Sequence, residues 1–180
     1  NVTPDAGEVA LGEALTMETK IEGASIFYSI DGGEEKRYDE NNKPVLETLP
    51  AVVTTYAVKE GTEDSLKVTY AYTQAKVATV KASPNGGAIT ANTKIKLTCA
   101  TKGATILYSF DEGTNWNEYN DEDRVTISDF SKTLQVKAVK EGYEDSSVVS
   151  LSFTQRVNDE YGLYFGQLHS HTTLSDGAGE

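Results

Sequence analysis

One pattern occurs twice in this chain, and that duplication limits its folds more than any other feature. Gly23-Ala24-Ser25-Ile26-Phe27-Tyr28-Ser29-Ile30-Asp31 matches Gly103-Ala104-Thr105-Ile106-Leu107-Tyr108-Ser109-Phe110-Asp111 at an offset of 80. Val58-Lys59-Glu60-Gly61-Thr62-Glu63-Asp64-Ser65 matches Val139-Lys140-Glu141-Gly142-Tyr143-Glu144-Asp145-Ser146 at an offset of 81. Thr73-Gln74 matches Thr154-Gln155, and Thr3-Pro4-Asp5-Ala6-Gly7 aligns with Ser83-Pro84-Asn85-Gly86-Gly87. Four matches in the same order, with one inserted residue, mean a duplicated structural unit.

Each copy reads as strands. Ile95, Leu97 and Cys99, then Leu134, Val136 and Ala138, then Val149, Leu151 and Phe153 alternate with polar positions. Period two puts such side chains on one face of a sheet. No amphipathic stretch of helical period runs for ten residues. Asp31-Gly32-Gly33, Glu60-Gly61 and Glu141-Gly142 carry the residues that turns of positive φ require. The expected fold is all-β: two tandem antiparallel sandwiches of the immunoglobulin or fibronectin III kind. The first occupies 1–75 and the second 76–156, with a tail, 157–180, that is not a domain in itself. Both chain ends read as trimmed. Lys76–Ser83 forms a leading strand for the second copy, while only Asn1-Val2-Thr3 precedes Pro4, so in the first copy that strand is expected to be missing or partial.

With 16 basic and 28 acidic side chains the net charge is −12. Nucleic-acid binding needs a basic footprint, so the charge argues against it. No run approaches 18 apolar residues, so no membrane-inserted helix is expected. The single cysteine, Cys99, excludes an intrachain disulfide and reads as a small buried hydrophobe.

The repeated Gly-Ala…Tyr…Asp core and the later Val-Lys-Ala-Val-Lys-Glu-Gly-Tyr-Glu-Asp-Ser run resemble the chitobiase/β-hexosaminidase C-terminal type domain. Ile30 and Phe110 depart from the Thr that the family places before Asp. Glu112 follows Asp111 where the family has Gly, which predicts a lengthened hairpin. The resemblance implies an accessory module in a secreted or surface-attached bacterial protein: a spacer, a scaffold, or a weak sugar-contacting unit. It requires no cofactor.

Two stretches of the second copy are candidate sites. Asp111, Glu112, Glu118, Asp121, Glu122 and Asp123 cluster without a basic residue between them. They form either a solvated acidic loop or a calcium site through Asp111, Asp121 and Asp123. Trp116, the only tryptophan, lies near Tyr119. Either this pair stacks on a sugar of a glycan or cell-wall partner, or Trp116 caps its own core.

The tail holds both histidines. In Leu168-His169-Ser170-His171-Thr172-Thr173-Leu174-Ser175-Asp176-Gly177, a strand would point His169 and His171 the same way. Imidazoles with a carboxylate suit Zn, Mn or Fe. The motif resembles the opening of the PHP (polymerase and histidinol phosphatase) family. That resemblance implies His169 and His171 as metal ligands, Asp176 as a third, and hydrolysis of phosphate esters by a complete domain. The remainder of such a domain, expected downstream, is the implied partner of the repeats. The chain itself is expected to have no catalytic activity.

Overall fold

The computed structural model describes residues 1–156. Every regular element within that range is a strand. Among the described residues no helix is long and apolar enough to cross a membrane.

The first module contains β1 (Val2–Thr3), β2 (Gly7–Val9), β3 (Thr16–Met17), β4 (Ser25–Ile30), β5 (Lys36–Arg37), β6 (Ala51–Val58) and β7 (Val68–Gln74). One sheet pairs β1 with β3, and the other runs β2-β7-β6-β4-β5. Strand β6 shows why the sheets face each other. Its residues alternate in burial along its whole length, and Ala51 and Val53 are sealed inward. They meet Val2, Leu15, Met17 and Leu46 from the opposite layer.

The second module repeats the plan with β8 (Lys81–Ser83), β9 (Gly87–Ile89), β10 (Thr93–Thr98), β11 (Thr105–Ser109), β12 (Asn117–Glu118), β13 (Val125–Ile127), β14 (Leu134–Val139), β15 (Val149–Leu151) and β16 (Phe153–Gln155). Its sheets are β13-β10-β8 and β12-β11-β14-β15, with β16 pairing to β9. Leu134, Val136 and Ala138 pack against Ile95, Leu97, Val125 and Ile127.

The first module's leading strand is partial, two residues long: Val2 pairs with Met17 and Thr3 with Thr16. Two details differ from the sequence reading. Val77 and Val80 are buried but precede β8 rather than belonging to it. The pairing is antiparallel except where β2 meets β7 and β9 meets β16, which run parallel. Proline explains the exception. Pro4 and Pro84 follow β1 and β8 directly, and a residue with no N–H ends a ladder. The chain then crosses to the other sheet and lies beside the module's last strand.

The inserted residue falls in the β11–β12 hairpin. In the first module Asp31 and Gly32 carry positive φ, 51° and 70°; in the second the pair is Glu112 and Gly113, 58° and 82°. Tyr28 pairs with Lys36 and Tyr108 with Asn117, so the offset becomes 81 across this turn. The lengthened hairpin expected from Glu112 is present.

A tyrosine spans the two layers. The Tyr119 hydroxyl accepts the Leu97 N–H at 3.1 Å and donates to Asp121 Oδ1 at 2.9 Å. Burial, more than its partners, raises the Tyr119 pKa. Tyr119→Phe is expected to destabilise the second module by about 1–2 kcal/mol, because the Leu97 N–H loses its partner. Urea denaturation followed by the fluorescence of Trp116 measures this.

Candidate functional site

The second module's two candidate stretches lie in and after the hairpin, and packing separates their residues. Gln135 and Lys137 alternate with the buried Leu134, Val136 and Ala138, so they face outward from β14. Trp116 lies over that outer face, with Lys137 Nζ 5.1 Å from its ring centroid. A cation at this distance is attracted to the ring's negative face. The same ammonium donates to Asp145 Oδ2 at 2.8 Å. Tyr119 instead turns inward to β10 and packs on the core. Trp116 and Tyr119 thus serve opposite faces, and the pair that the sugar-stacking alternative requires does not form. Trp116 is not a core cap either. It is half-buried on the outer surface of its sheet.

The carboxylates also diverge. Asp111 Oδ1 accepts the Ser109 hydroxyl at 2.6 Å and the Asn115 N–H at 2.9 Å, and Oδ2 accepts Asn115 Nδ2 at 2.6 Å. These donors, the Asn115 main-chain N–H first, hold its pKa down at about 2. Asp121 is engaged by Tyr119 and Arg124, and Asp123 is exposed. Among the described residues no three His, Cys, Asp or Glu side chains come together to hold a metal ion. Asp111 is a hairpin brace, and the calcium ligand set of Asp111, Asp121 and Asp123 is not assembled. His169, His171 and Asp176 lie outside the described residues.

An aromatic pair that the sequence reading missed occupies the same outer face of the first module. Phe27 on β4 stacks on Tyr56 on β6, centroids 5.7 Å apart. Lys67 Nζ lies 4.8 Å from the Tyr56 centroid, and the Tyr56 hydroxyl donates to Glu35 at 2.7 Å. That contact with Glu35 raises the Tyr56 pKa, while Lys67 lowers that of Glu35. The signal was available: Phe27 and Tyr56 sit out of phase with the inward Ile26, Tyr28 and Ala57. Each module therefore presents an outward aromatic, and in each a lysine already covers a ring.

The second site is the joint between the modules. The Leu11 N–H and the Gln74 side-chain amide both donate to the Gly142 carbonyl, at 2.7 and 3.1 Å. Val77 N–H donates to Glu144 O, and Glu144 N–H donates to Ala75 O, each at 2.9 Å. The connecting residues are thus laced to the Gly142 turn as a short parallel bridge. Gly142 has φ +78°, and a Cβ there would stand 2.8 Å from the Leu11 carbonyl.

Residues 73–147 match the family model described as Chitobiase/beta-hexosaminidase C-terminal domain. The match covers most of the second module, including the Gly103-Ala104 start and the Gly142…Ser146 end. In that family segment the final serine has a defined task here. Ser146 Oγ accepts the Ala138 N–H at 2.8 Å, and Ser65 Oγ does the same for Ala57 at 2.9 Å in the first module. A solved structure, the two fibronectin type-III domain segment from chicken tenascin, shares 16% identity with the chain. The match covers 83% of this chain and 94% of that one, with a TM-score of 0.32. No curated protein matches the sequence. The architecture rests on the strand pairing described above.

Proposed function

We propose that the two modules form a stiff, non-catalytic spacer that holds another part of its protein at a fixed distance and direction. The observation that carries this reading is the joint. Four hydrogen bonds tie the connector and the Ala10–Leu11 loop to one turn of the second module, and a glycine permits the close approach. A Gly/Ser connector would behave as a random coil. This one has neither composition nor slack. Small-angle scattering tests the proposal: one rigid arrangement should fit the data, and a profile requiring a broad range of inter-module angles would sink it.

What the spacer carries is read from the tail. The His169-Ser170-His171…Asp176-Gly177 motif supports a PHP-type phosphoesterase domain, using Zn, Mn or Fe, as its cargo, and a secreted or surface-attached bacterial protein as the setting. The described modules contain no histidine. The 180-residue chain is therefore expected to show no chelator-sensitive hydrolysis of p-nitrophenyl phosphate; measurable turnover would refute this.

A second reading, glycan or cell-wall binding, is favoured by the outward Phe27–Tyr56 pair and Trp116. It requires Lys67 and Lys137 to yield the ring faces they cover. Affinity electrophoresis in polysaccharide gels decides: retardation that is lost in Tyr56→Ala and Trp116→Ala supports it.

A further inference from the structure

The two modules differ in what covers the loops that follow β3 and β10. In the second, Val77-Ala78-Thr79-Val80 runs into the module just ahead of β8. Val77 and Val80 are 2% and 3% exposed and belong to its core. The segment is pinned to the neighbouring loop. Ala78 N–H donates to Thr101 Oγ1 at 2.8 Å, and Cys99 Sγ donates to Ala78 O at 3.2 Å.

At the equivalent place the first module has an open groove of about 370 Å³. Thr19 and Ile21, the counterparts of Cys99 and Thr101, lie on its wall, with Ile26, Leu66 and Val68. Ile21, Leu66 and Val68 are 44%, 88% and 49% exposed. Asn1 is already in register to continue such a segment. Its amine donates to Glu18 O at 2.8 Å, just as Lys81 faces Thr98 in the second module. The other half of the joint is duplicated as well. Gly61 has the same φ of +78° as Gly142, yet nothing stands within 4 Å of a Cβ there.

We propose that this end of the first module is an acceptor for another module of the same type, joined as the second module is joined to the first. An extended Val-x-x-Val segment leading into β1 fills the groove, and a loop of the incoming module seats on the Gly61 turn. The partner is identified by continuity with the joint already present, which uses the same two surfaces on the second module. This holds whether or not the pair acts as a spacer.

The test adds Val-Ala-Thr-Val directly before Asn1 of the full chain, the register in which Val80 precedes Lys81. The first module's melting temperature is expected to rise by about 5–10 °C, in line with about 4–8 °C per kcal/mol for a domain of this size. Amide exchange at Ile21 and Leu66 should slow at least tenfold. An Asp-Ala-Thr-Asp extension should give neither effect. Leu66→Asp, at an exposed position, should abolish the gain in the extended chain and leave the unextended chain's melting unchanged. No gain from the apolar extension overturns the proposal. A gain that survives in the Asp extension or in Leu66→Asp also overturns it, since the segment would then be acting elsewhere.

Discussion

Gly142→Ala is expected to release the two modules from one another, while Gly61→Ala is not. Both glycines occupy the third position of the same turn at φ +78°. An L side chain at that conformation costs about 1–2 kcal/mol relative to glycine. That cost is common to both variants and falls on the stability of the turn. Only at position 142 does the new methyl group meet main chain, 2.8 Å from Leu11 O and 3.2 Å from Ala10 Cβ. A contact that short displaces the loop and breaks the Leu11 and Gln74 hydrogen bonds to the Gly142 carbonyl. Net contributions of about 1 kcal/mol for each bond bring the total for Gly142→Ala to roughly 3–4 kcal/mol. NMR relaxation provides the readout. The modules should tumble as one body in the parent chain and in Gly61→Ala, and independently in Gly142→Ala. Identical relaxation in all three would show that the joint does not depend on this turn.

Raising the pH from 10 to 12 is expected to cost the first module about 2–3 kcal/mol of stability, with the second module much less affected. Tyr72 is fully buried, and its hydroxyl donates to the Pro4 carbonyl at 2.9 Å. Burial pushes its pKa up to about 12 from an ordinary value of 10.0. The folded state therefore holds the proton more tightly than the unfolded chain. The associated stability is complete below pH 10 and is lost as pH climbs towards 12. Two units at about 1.4 kcal/mol each set the size. The duplication supplies the control. Phe153 occupies the equivalent place in the second module and is equally buried in its core. Tyr72→Phe should thus fold, lose about 1 kcal/mol at neutral pH through the unpaired Pro4 carbonyl, and show a flatter alkaline limb. Urea titrations at several pH values, with Trp116 reporting the second module and circular dichroism reporting both, separate the two transitions. An alkaline slope unchanged in Tyr72→Phe would assign the effect to another group.

The duplication and the strand character of each copy were legible because local pattern determines them. Period-two runs such as Leu134-Val136-Ala138 state which side is buried, and Gly or Asp at a turn states where the chain reverses. The acid cluster and the Trp116–Tyr119 pair each left two readings open in the sequence, for a common reason. Nearness in sequence does not fix which layer a side chain serves once a hairpin intervenes. Tyr119 follows Trp116 by three residues, yet one caps a sheet from outside while the other bridges to β10. The parallel closing pairs and, but for the Gln74 amide, the joint were illegible because they are made by main-chain groups, and every residue has those. Only the glycine at 142 hinted at a close approach, and its twin at 61 shows that the same letter can mark a turn with no neighbour.

At one edge of each large sheet the outermost strand, β5 or β12, is only two residues long, and the side chains there are Lys36 and Arg37 or Asn117 and Glu118. A polypeptide that carries similar sandwiches side by side risks pairing a strand of one with the rim of the next during folding. A rim this brief and this polar gives an intruding strand almost no ladder to extend and nothing apolar to bury. At that edge the duplication can therefore keep similar strands in one chain without inviting exchange between them or fibrous association between molecules.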